Sequence, residues 1–391
     1  MNMKVTISDA VKYIGVDDKT IDLFESQYVV PKGVSYNSYL ILDEKVALMD
    51  TVDVRGMKEW EKNLTETLAG RKVDYLVIQH LEPDHAGSIG RLLELYPDVT
   101  LVGNAKTFAM LPQFFDIDPN VKKLTVAEGD TLSLGNHTLT FVMAPMVHWP
   151  EVMVTYESTE KILFSADGFG KFGALDSEDE EGWSCEARRY YFNIVGKYGA
   201  PVQALLKKAA NLDIQTICPL HGPVLKENLG YYIGLYDTWS SYRPEDKGVL
   251  VAYASIHGNT AKAAEKFAEM LRAKGVEKVV VSDLAREDMA EVIEDAFRYD
   301  RMVVAGASYD GGVFPCMQDF LHHLQSKAYQ NRTVGIIENG SWGPTAGRTM
   351  KAILETMKNV TIVDPMVTIK STMKESDMPA LEALADAIAN A

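Results

Sequence analysis

Between positions 80 and 85 the chain reads His80-Leu81-Glu82-Pro83-Asp84-His85, four side chains able to ligate a metal within six residues. Imidazole and carboxylate donors together suit divalent iron, zinc or manganese, and so many donors in so short a stretch is the pattern of a two-metal site. The plainer reading is a polar loop capping a helix that begins near Ala86, with Asp84 as its N-cap. Capping gives one acid a task and leaves Glu82 and both histidines without one. A six-residue stretch cannot surround two ions by itself, so further donors have to arrive from other strands. Three apolar runs end at a ligand-type residue: 139–144 leads into His148, 162–166 into Asp167, and 214–218 into His221. Any one of these alone is an ordinary polar residue at a strand end; together they complete a ligand set. His137, after a Gly-Asn turn, and His322 and His323, inside a helical stretch, are assigned no chemistry.

The elements around these residues follow from the apolar pattern. Residues 73–79 form an apolar run with the composition of a strand, so the donors at 80–85 fall in the loop beyond its C-terminal end, where α/β folds open to solvent. Short alternating runs at 37–42 and 45–49, joined by the polar pair Asp43-Glu44, read as a hairpin. At 391 residues the chain is too long for one ordinary core. The polar stretch from Tyr242 to Gly248, with Pro244 inside it, marks a boundary between a domain at 1–246 and one at 247–391.

A formal charge of −16 argues against a nucleic-acid partner, which needs clustered Lys and Arg. The three cysteines stand far apart with no C-x-x-C pair, which excludes a thiolate metal centre and a disulfide framework and fits reduced cytosolic thiols. No run approaches ~20 apolar residues, so the expectation is a soluble, unexported, cytoplasmic protein without membrane association. The acidic run from Asp176 to Glu181 reads as a solvated loop.

Beyond the boundary, strands near 249–253, 278–281, 302–305, 333–337 and 360–363 alternate with helices near 261–274, 289–297, 317–327 and 345–357. Such alternation predicts a doubly wound parallel sheet. The first strand runs into Ser255-Ile256-His257-Gly258-Asn259-Thr260, a phosphate loop in which small polar side chains and helix N-terminal N–H groups replace a lysine. Neither the nucleoside-triphosphate motif G-x-x-x-x-G-K-[ST] nor the dinucleotide motif G-x-G-x-x-G is present. Later strands lead into Ser308-Tyr309-Asp310-Gly311-Gly312 and Asn339-Gly340-Ser341-Trp342-Gly343. Each mixes glycine with one aromatic, which lets backbone approach the edge of a flat ring while Tyr309 or Trp342 packs on its face.

These three loops on one sheet edge resemble a short-chain flavodoxin domain that binds FMN, with Ile256 and Asp310 where relatives often carry methionine and asparagine. The order of segments in the first half resembles the metallo-β-lactamase superfamily, a four-layered αββα sandwich with a binuclear site at one sheet edge. Hydrolases of that superfamily usually read H-x-H-x-D-H, whereas this chain has Glu82 in the second position. A hard anionic oxygen there favours iron over zinc and redox work over hydrolysis. Taken together, the halves resemble the flavodiiron proteins, also called A-type flavoproteins, over nearly all of the 391 residues.

That resemblance implies that His80, Glu82 and His148 ligate one iron, that Asp84, His85 and His221 ligate the other, and that Asp167 bridges them. Some family members lack a usable ligand at the position of His85. It further implies an oxidoreductase that reduces dioxygen to water or nitric oxide to nitrous oxide, a detoxifying activity fed with electrons by FMN. A separate donor such as rubredoxin or a reduced deazaflavin would supply them. A head-to-tail homodimer, or a dimer of dimers, would bring one subunit's FMN beside the other's irons. Trp149, Phe169 and Tyr198 are candidates to line a gas pocket. Two rival readings remain open: a binuclear zinc hydrolase with an accessory flavodoxin-like domain, and an electron carrier in which only the flavin is active.

Overall fold

The computed structural model describes residues 5–177 and 182–391. Of the acidic run, Glu178 to Glu181 lie outside the described residues. The chain divides into two compact units: Met1–Tyr191 with Ala200–Asp237, and Phe192–Gly199 with Thr238–Ala391. Among the described residues no helix is long and apolar enough to cross a membrane.

The first unit holds a six-stranded and a five-stranded sheet. In the six-stranded sheet the strands Tyr39–Leu42 and Val46–Met49 form the expected antiparallel hairpin, with Leu42 opposite Val46. Tyr75–Val77 then joins in parallel beside Val46–Met49. The five-stranded sheet runs through Thr138–Met143, Met153–Glu157, Ile162–Phe164 and Thr216–Cys218. Alternate residues on each strand face one shared core: Tyr39, Ile41, Ala47 and Met49 from one sheet meet Leu139, Phe141, Ile162 and Phe164 from the other, all 0–1 % exposed. The period-2 pattern makes this packing, and it leaves the strand ends free to carry polar side chains.

The second unit is a parallel sheet. Its strands are β1 (Asp246–Ala254), β2 (Val279–Asp283), β3 (Tyr299–Tyr309), β4 (Arg332–Asn339) and β5 (Val360–Ile362). Their order is β2-β1-β3-β4-β5, with Val367–Ile369 pairing further along β4. This is the doubly wound order whose switch point lies between β1 and β3. The helices expected from the sequence occupy Asn259–Ala273, Met289–Arg298, Pro315–Ser326 and Ala346–Leu354. A further helix, Met378–Ala389, buries Leu381, Leu384, Ala385 and Ile388. Phe192 joins this unit by stacking on Phe297, with ring centroids 4.3 Å apart and planes at 12°.

Candidate functional site

Each of the donor residues stands just past a strand of the first unit. The loop after Tyr75–Val77 carries His80 and Glu82, then folds into the short helix Pro83–Ala86, which carries Asp84 and His85. His148, Asp167 and His221 follow the strands Thr138–Met143, Ile162–Phe164 and Thr216–Cys218. The structure gathers the seven side chains into two groups, His80, Glu82, His148 and Asp167 in one, and Asp84, His85 and His221 in the other.

In the first group Glu82 Oε2 lies 3.1 Å from His80 Nε2 and 3.0 Å from His148 Nε2. Asp167 Oδ2 lies 3.2 and 3.3 Å from the same two nitrogens. In the second group Asp84 Oδ2 lies 3.3 Å from His85 Nε2 and 3.2 Å from His221 Nε2. Asp167 Oδ1 is 3.1 Å from His85 Nε2 and 3.8 Å from His221 Nε2. One carboxylate therefore turns one oxygen toward each group. Donors about 2.1 Å from a common cation and at right angles to each other lie about 3.0 Å apart, so this spacing is that of ligand atoms around an ion.

The unpartnered atoms agree. Both oxygens of Asp84, both of Asp167, both ring nitrogens of His85 and Nε2 of His221 are buried without a hydrogen-bond partner. Each such orphan costs about 1–3 kcal/mol, a penalty that a cation among them removes. Electrostatics run the same way. Burial alone would pull His148 down, but Asp167 and Glu82 reverse it and push its imidazole up to about 9. Burial opposes ionisation of Asp167, yet His85, His80 and His148 hold its carboxyl well below the usual range. Asp167 and Glu82, both held below the usual carboxylate range, are thus anions that attract positive charge into a buried site.

Residues outside the ligand set fix its geometry. His80 Nδ1 lies 2.8 Å from Glu151 Oε1, and that fully buried carboxylate also accepts the Leu81 N–H at 2.9 Å. His221 Nδ1 donates to the Ser35 carbonyl at 2.7 Å. Both contacts place the proton on Nδ1 and leave Nε2 with its lone pair facing the cluster. Asp50 accepts the Gln79 N–H at 2.8 Å and the His80 N–H at 3.3 Å, while the Thr51 N–H and hydroxyl both donate to the His85 carbonyl, at 2.9 and 2.7 Å. Two residues after Val46–Met49 thereby hold both ends of the donor loop. Sequence reasoning missed Glu151, Asp50, Thr51 and Ser35. Nothing in their spacing marks them, although a carboxylate three residues after His148 is the one signal that could have been followed.

Aromatic side chains close around the groups. Trp149 sets its ring edge-on to His80 at 5.2 Å, and Phe169 stacks on Tyr236 at 4.2 Å. Tyr190, not singled out from the sequence, lies 5.5 Å from the His221 ring, and burial together with Asp167, Asp84 and Glu82 pushes its phenol well up. Tyr198 falls in the second compact unit.

The second unit holds a cavity of about 510 Å³ at the C-terminal ends of β1, β3 and β4, on the switch point. Of the sixteen residues expected there, twelve line it; Gly258, Gly311, Gly312 and Gly343 lie in the same loops but not on the wall. Ala307 and Ser371 are added to it. The loops are tied to one another. Ser308 Oγ accepts the N–H groups of Thr345 and Ala346 at 2.8 and 3.1 Å, and Thr345 Oγ1 donates to the Gly312 carbonyl at 2.7 Å. Asn339 spends its amide on Ser371, donating to the carbonyl and accepting the N–H, each at 2.9 Å. At the phosphate loop, Gly258 has φ 85°, which only glycine adopts without strain; it is the N-cap of the helix Asn259–Ala273 and donates its N–H to Ser255 Oγ at 3.1 Å. Trp342 is 97 % exposed at the rim. A tryptophan face left bare suits a planar partner.

Two family models match separate parts of the chain. A family model described as ODP family beta lactamase matches residues 34–222, and one described as a flavodoxin domain matches 250–363. The chain is 30% identical over 387 residues to a nitric oxide reductase of Moorella thermoacetica, covering 97% of this chain and 96% of that protein. It is 29% identical to an anaerobic nitric oxide reductase flavorubredoxin of Vibrio vulnificus, covering 87% of this chain and 70% of the relative. Among solved structures, a rubredoxin oxygen:oxidoreductase from Desulfovibrio gigas superposes with a TM-score of 0.93 at 26% identity, covering 99% of this chain and 98% of the other.

Proposed function

The chain belongs to the flavodiiron protein family and is an oxidoreductase, and on that footing we propose that it reduces dioxygen to water and nitric oxide to nitrous oxide at the site in its first unit. Its cofactors are FMN and a pair of iron ions. His80, Glu82 and His148 would hold one iron, Asp84, His85 and His221 the other, and Asp167 would be placed to serve both. The observation that carries this reading is the pair of Asp167 oxygens, each set among the donors of a different group. Three carboxylates among seven donors favour iron over zinc.

When bound, the iron pair supplies electrons and Lewis acidity toward a diatomic, and FMN replenishes the electrons. The chain's own residues prepare for this. Glu151 and the Ser35 carbonyl keep the Nδ1 protons of His80 and His221 in place, so those imidazoles present one fixed lone pair each. Asp50 and Thr51 fix the backbone from which four donors project. The phosphate loop at 255–260 would receive the FMN phosphate, and the loops carrying Tyr309 and Trp342 would receive its ring.

Dioxygen takes four electrons and four protons to give two waters; two nitric oxides take two of each to give nitrous oxide and one water. A separate protein or soluble carrier provides them. The Desulfovibrio gigas neighbour is a rubredoxin oxygen:oxidoreductase, and a rubredoxin-type donor is proposed here as well, with a reduced deazaflavin as the alternative. Two chains packed head to tail would set the flavin of one beside the irons of the other, and an active monomer in sedimentation would exclude that assembly. The deciding experiment quantifies iron and FMN in the purified protein, then follows both gases with reduced rubredoxin as donor. Consumption of dioxygen aerobically and of nitric oxide anaerobically is expected. Loaded protein that consumes neither overturns the proposal, as does protein that carries zinc and turns over an ester or a nucleic acid.

A further inference from the structure

A phosphate monoester brings a charge of about −1.5 to −2 at neutral pH, and this chain already carries −16. Of the fourteen residues that line the cavity of the second unit, none is lysine or arginine, and one, Asp310, is itself an acid. His257 is the single wall residue able to become a full cation. It stands in the phosphate loop directly before the helix Asn259–Ala273, and the bond from the Gly258 N–H to Ser255 Oγ closes the turn that carries it. Its side chain is exposed, and among the described residues no group takes its ring in a hydrogen bond or an ion pair. Four titratable side chains stand on the elements around it. Tyr309 and Asp310 are on the wall; Lys262, in the first turn of the helix, and Asp283, at the end of β2 and paired with Arg286 at 2.7 Å, are not. No cation competes with His257 for an anion in the loop.

We infer that His257 selects the phosphorylated flavin: its imidazolium pairs with the phosphate dianion, so that FMN binds together with a proton and in preference to riboflavin. This rests on the reading that FMN occupies the cavity. Backbone N–H groups and hydroxyls of the loop offer partial charges that do not change with pH, whereas the imidazole offers a whole charge or none. The attraction needs a protonated ring and a dianion at once. The dianion is formed above about pH 6, and the imidazolium is lost as pH rises beyond neutrality, so the contribution is greatest near neutral pH and fades in alkali. Riboflavin, which has no phosphate, gains nothing from it at any pH. A neutral ring in the empty loop takes up a proton when the phosphate arrives.

The test titrates the full chain, freed of flavin, with FMN and with riboflavin, following flavin fluorescence in wild type, His257→Asn and His257→Lys. Wild-type affinity for FMN should fall roughly tenfold between about pH 6.5 and about pH 9, while affinity for riboflavin stays level. His257→Asn should bind FMN about tenfold more weakly at the lower pH, match wild type at the higher, and leave riboflavin unchanged. His257→Lys keeps a cation throughout, so its FMN affinity should stay high and lose the pH dependence. Calorimetry at about pH 8 in two buffers of different ionisation enthalpy should show proton uptake with FMN in wild type, and none with riboflavin or in His257→Asn. A wild-type FMN affinity indifferent to pH, a pH dependence that survives in His257→Asn, or an equal loss of riboflavin in that variant would each overturn the inference. Wild type that binds neither flavin would sink the FMN reading as well, whereas tight FMN with a flat pH profile would sink this inference alone.

Discussion

The two sites are built on opposite plans. In the first unit seven side chains converge on buried points, and nearly every donor atom is aimed by a neighbour or left waiting for a cation. In the second, the wall is made by loops whose side chains are largely engaged with each other, as with Ser308 and the N–H groups of Thr345 and Ala346, or Asn339 and Ser371. A metal site depends on the identity of single atoms, and a cofactor cleft depends on the shape of a backbone. One consequence is that damage should be abrupt in the first and graded in the second.

Replacing Asp167 with alanine tests the abrupt side. It removes an oxygen from both groups, so iron content and gas reduction should fall by more than about 100-fold while FMN stays bound, as metal analysis and flavin absorbance would show. Glu151→Gln should come next. It weakens the hold on the His80 proton without removing a ligand, and iron retention against a chelator is expected to drop roughly 10-fold or more. Ser308→Ala tests the graded side: two backbone N–H groups lose their acceptor, a cost of about 1–3 kcal/mol spread over the loops, so FMN affinity in a fluorescence titration should fall about tenfold with iron content unchanged. If that loss of flavin were as complete as the loss of iron in Asp167→Ala, the contrast would fail.

The smallest effect belongs to neither site. His137 sits between Asp43, at 2.8 Å from Nδ1, and Glu160, at 3.2 Å from Nε2. Burial opposes its charge, but the two carboxylates win and raise its pKa. Burial also opposes ionisation of Asp43, and hydrogen bonds from His137 and Asn136 hold its carboxyl below the ordinary range. A raised histidine stabilises the fold below its unfolded pKa and loses that contribution as pH rises through the folded value. A depressed aspartate stabilises above its unfolded pKa and loses its share as pH falls through the folded one. The clamp is therefore strongest between the unfolded pKa of the aspartate and that of the histidine; His137→Ala should lower stability there by less than about 1 kcal/mol and flatten the fall of Tm on either side of that window. Both cofactors should remain bound, which separates fold stability from site chemistry.

Legibility followed the same contrast. The gathering of the seven candidate donors could be read because chemistry restricts metal ligands to few residue types and the fold places these after apolar runs, as with His148 and Asp167. Their supports could not, since Glu151, Asp50 and Ser35 act through contacts between distant segments that no local spacing encodes. In the second unit the loops were legible from glycine and aromatic content, but which atoms face the cavity was not: Asn339 turns its amide to Ser371, a residue that carries no signal of its own. The helix Met378–Ala389 did carry one, in Leu381, Leu384, Ala385 and Ile388 at helical spacing. The segment Phe192–Gly199 packs with the second unit through stacking of Phe192 on Phe297, a neighbour more than a hundred residues away in the chain.

The carboxylate of Asp167, shared between the two groups, also bears on how the protein fills. An iron held by one group would draw that carboxylate into position, so a second would meet an oxygen already oriented for it and loading would be cooperative. Apoprotein titrated with ferrous iron should give a steep uptake curve in which singly filled molecules are scarce. An under-loaded preparation is then a mixture of complete and empty molecules, and its turnover per chain should rise in direct proportion to its iron.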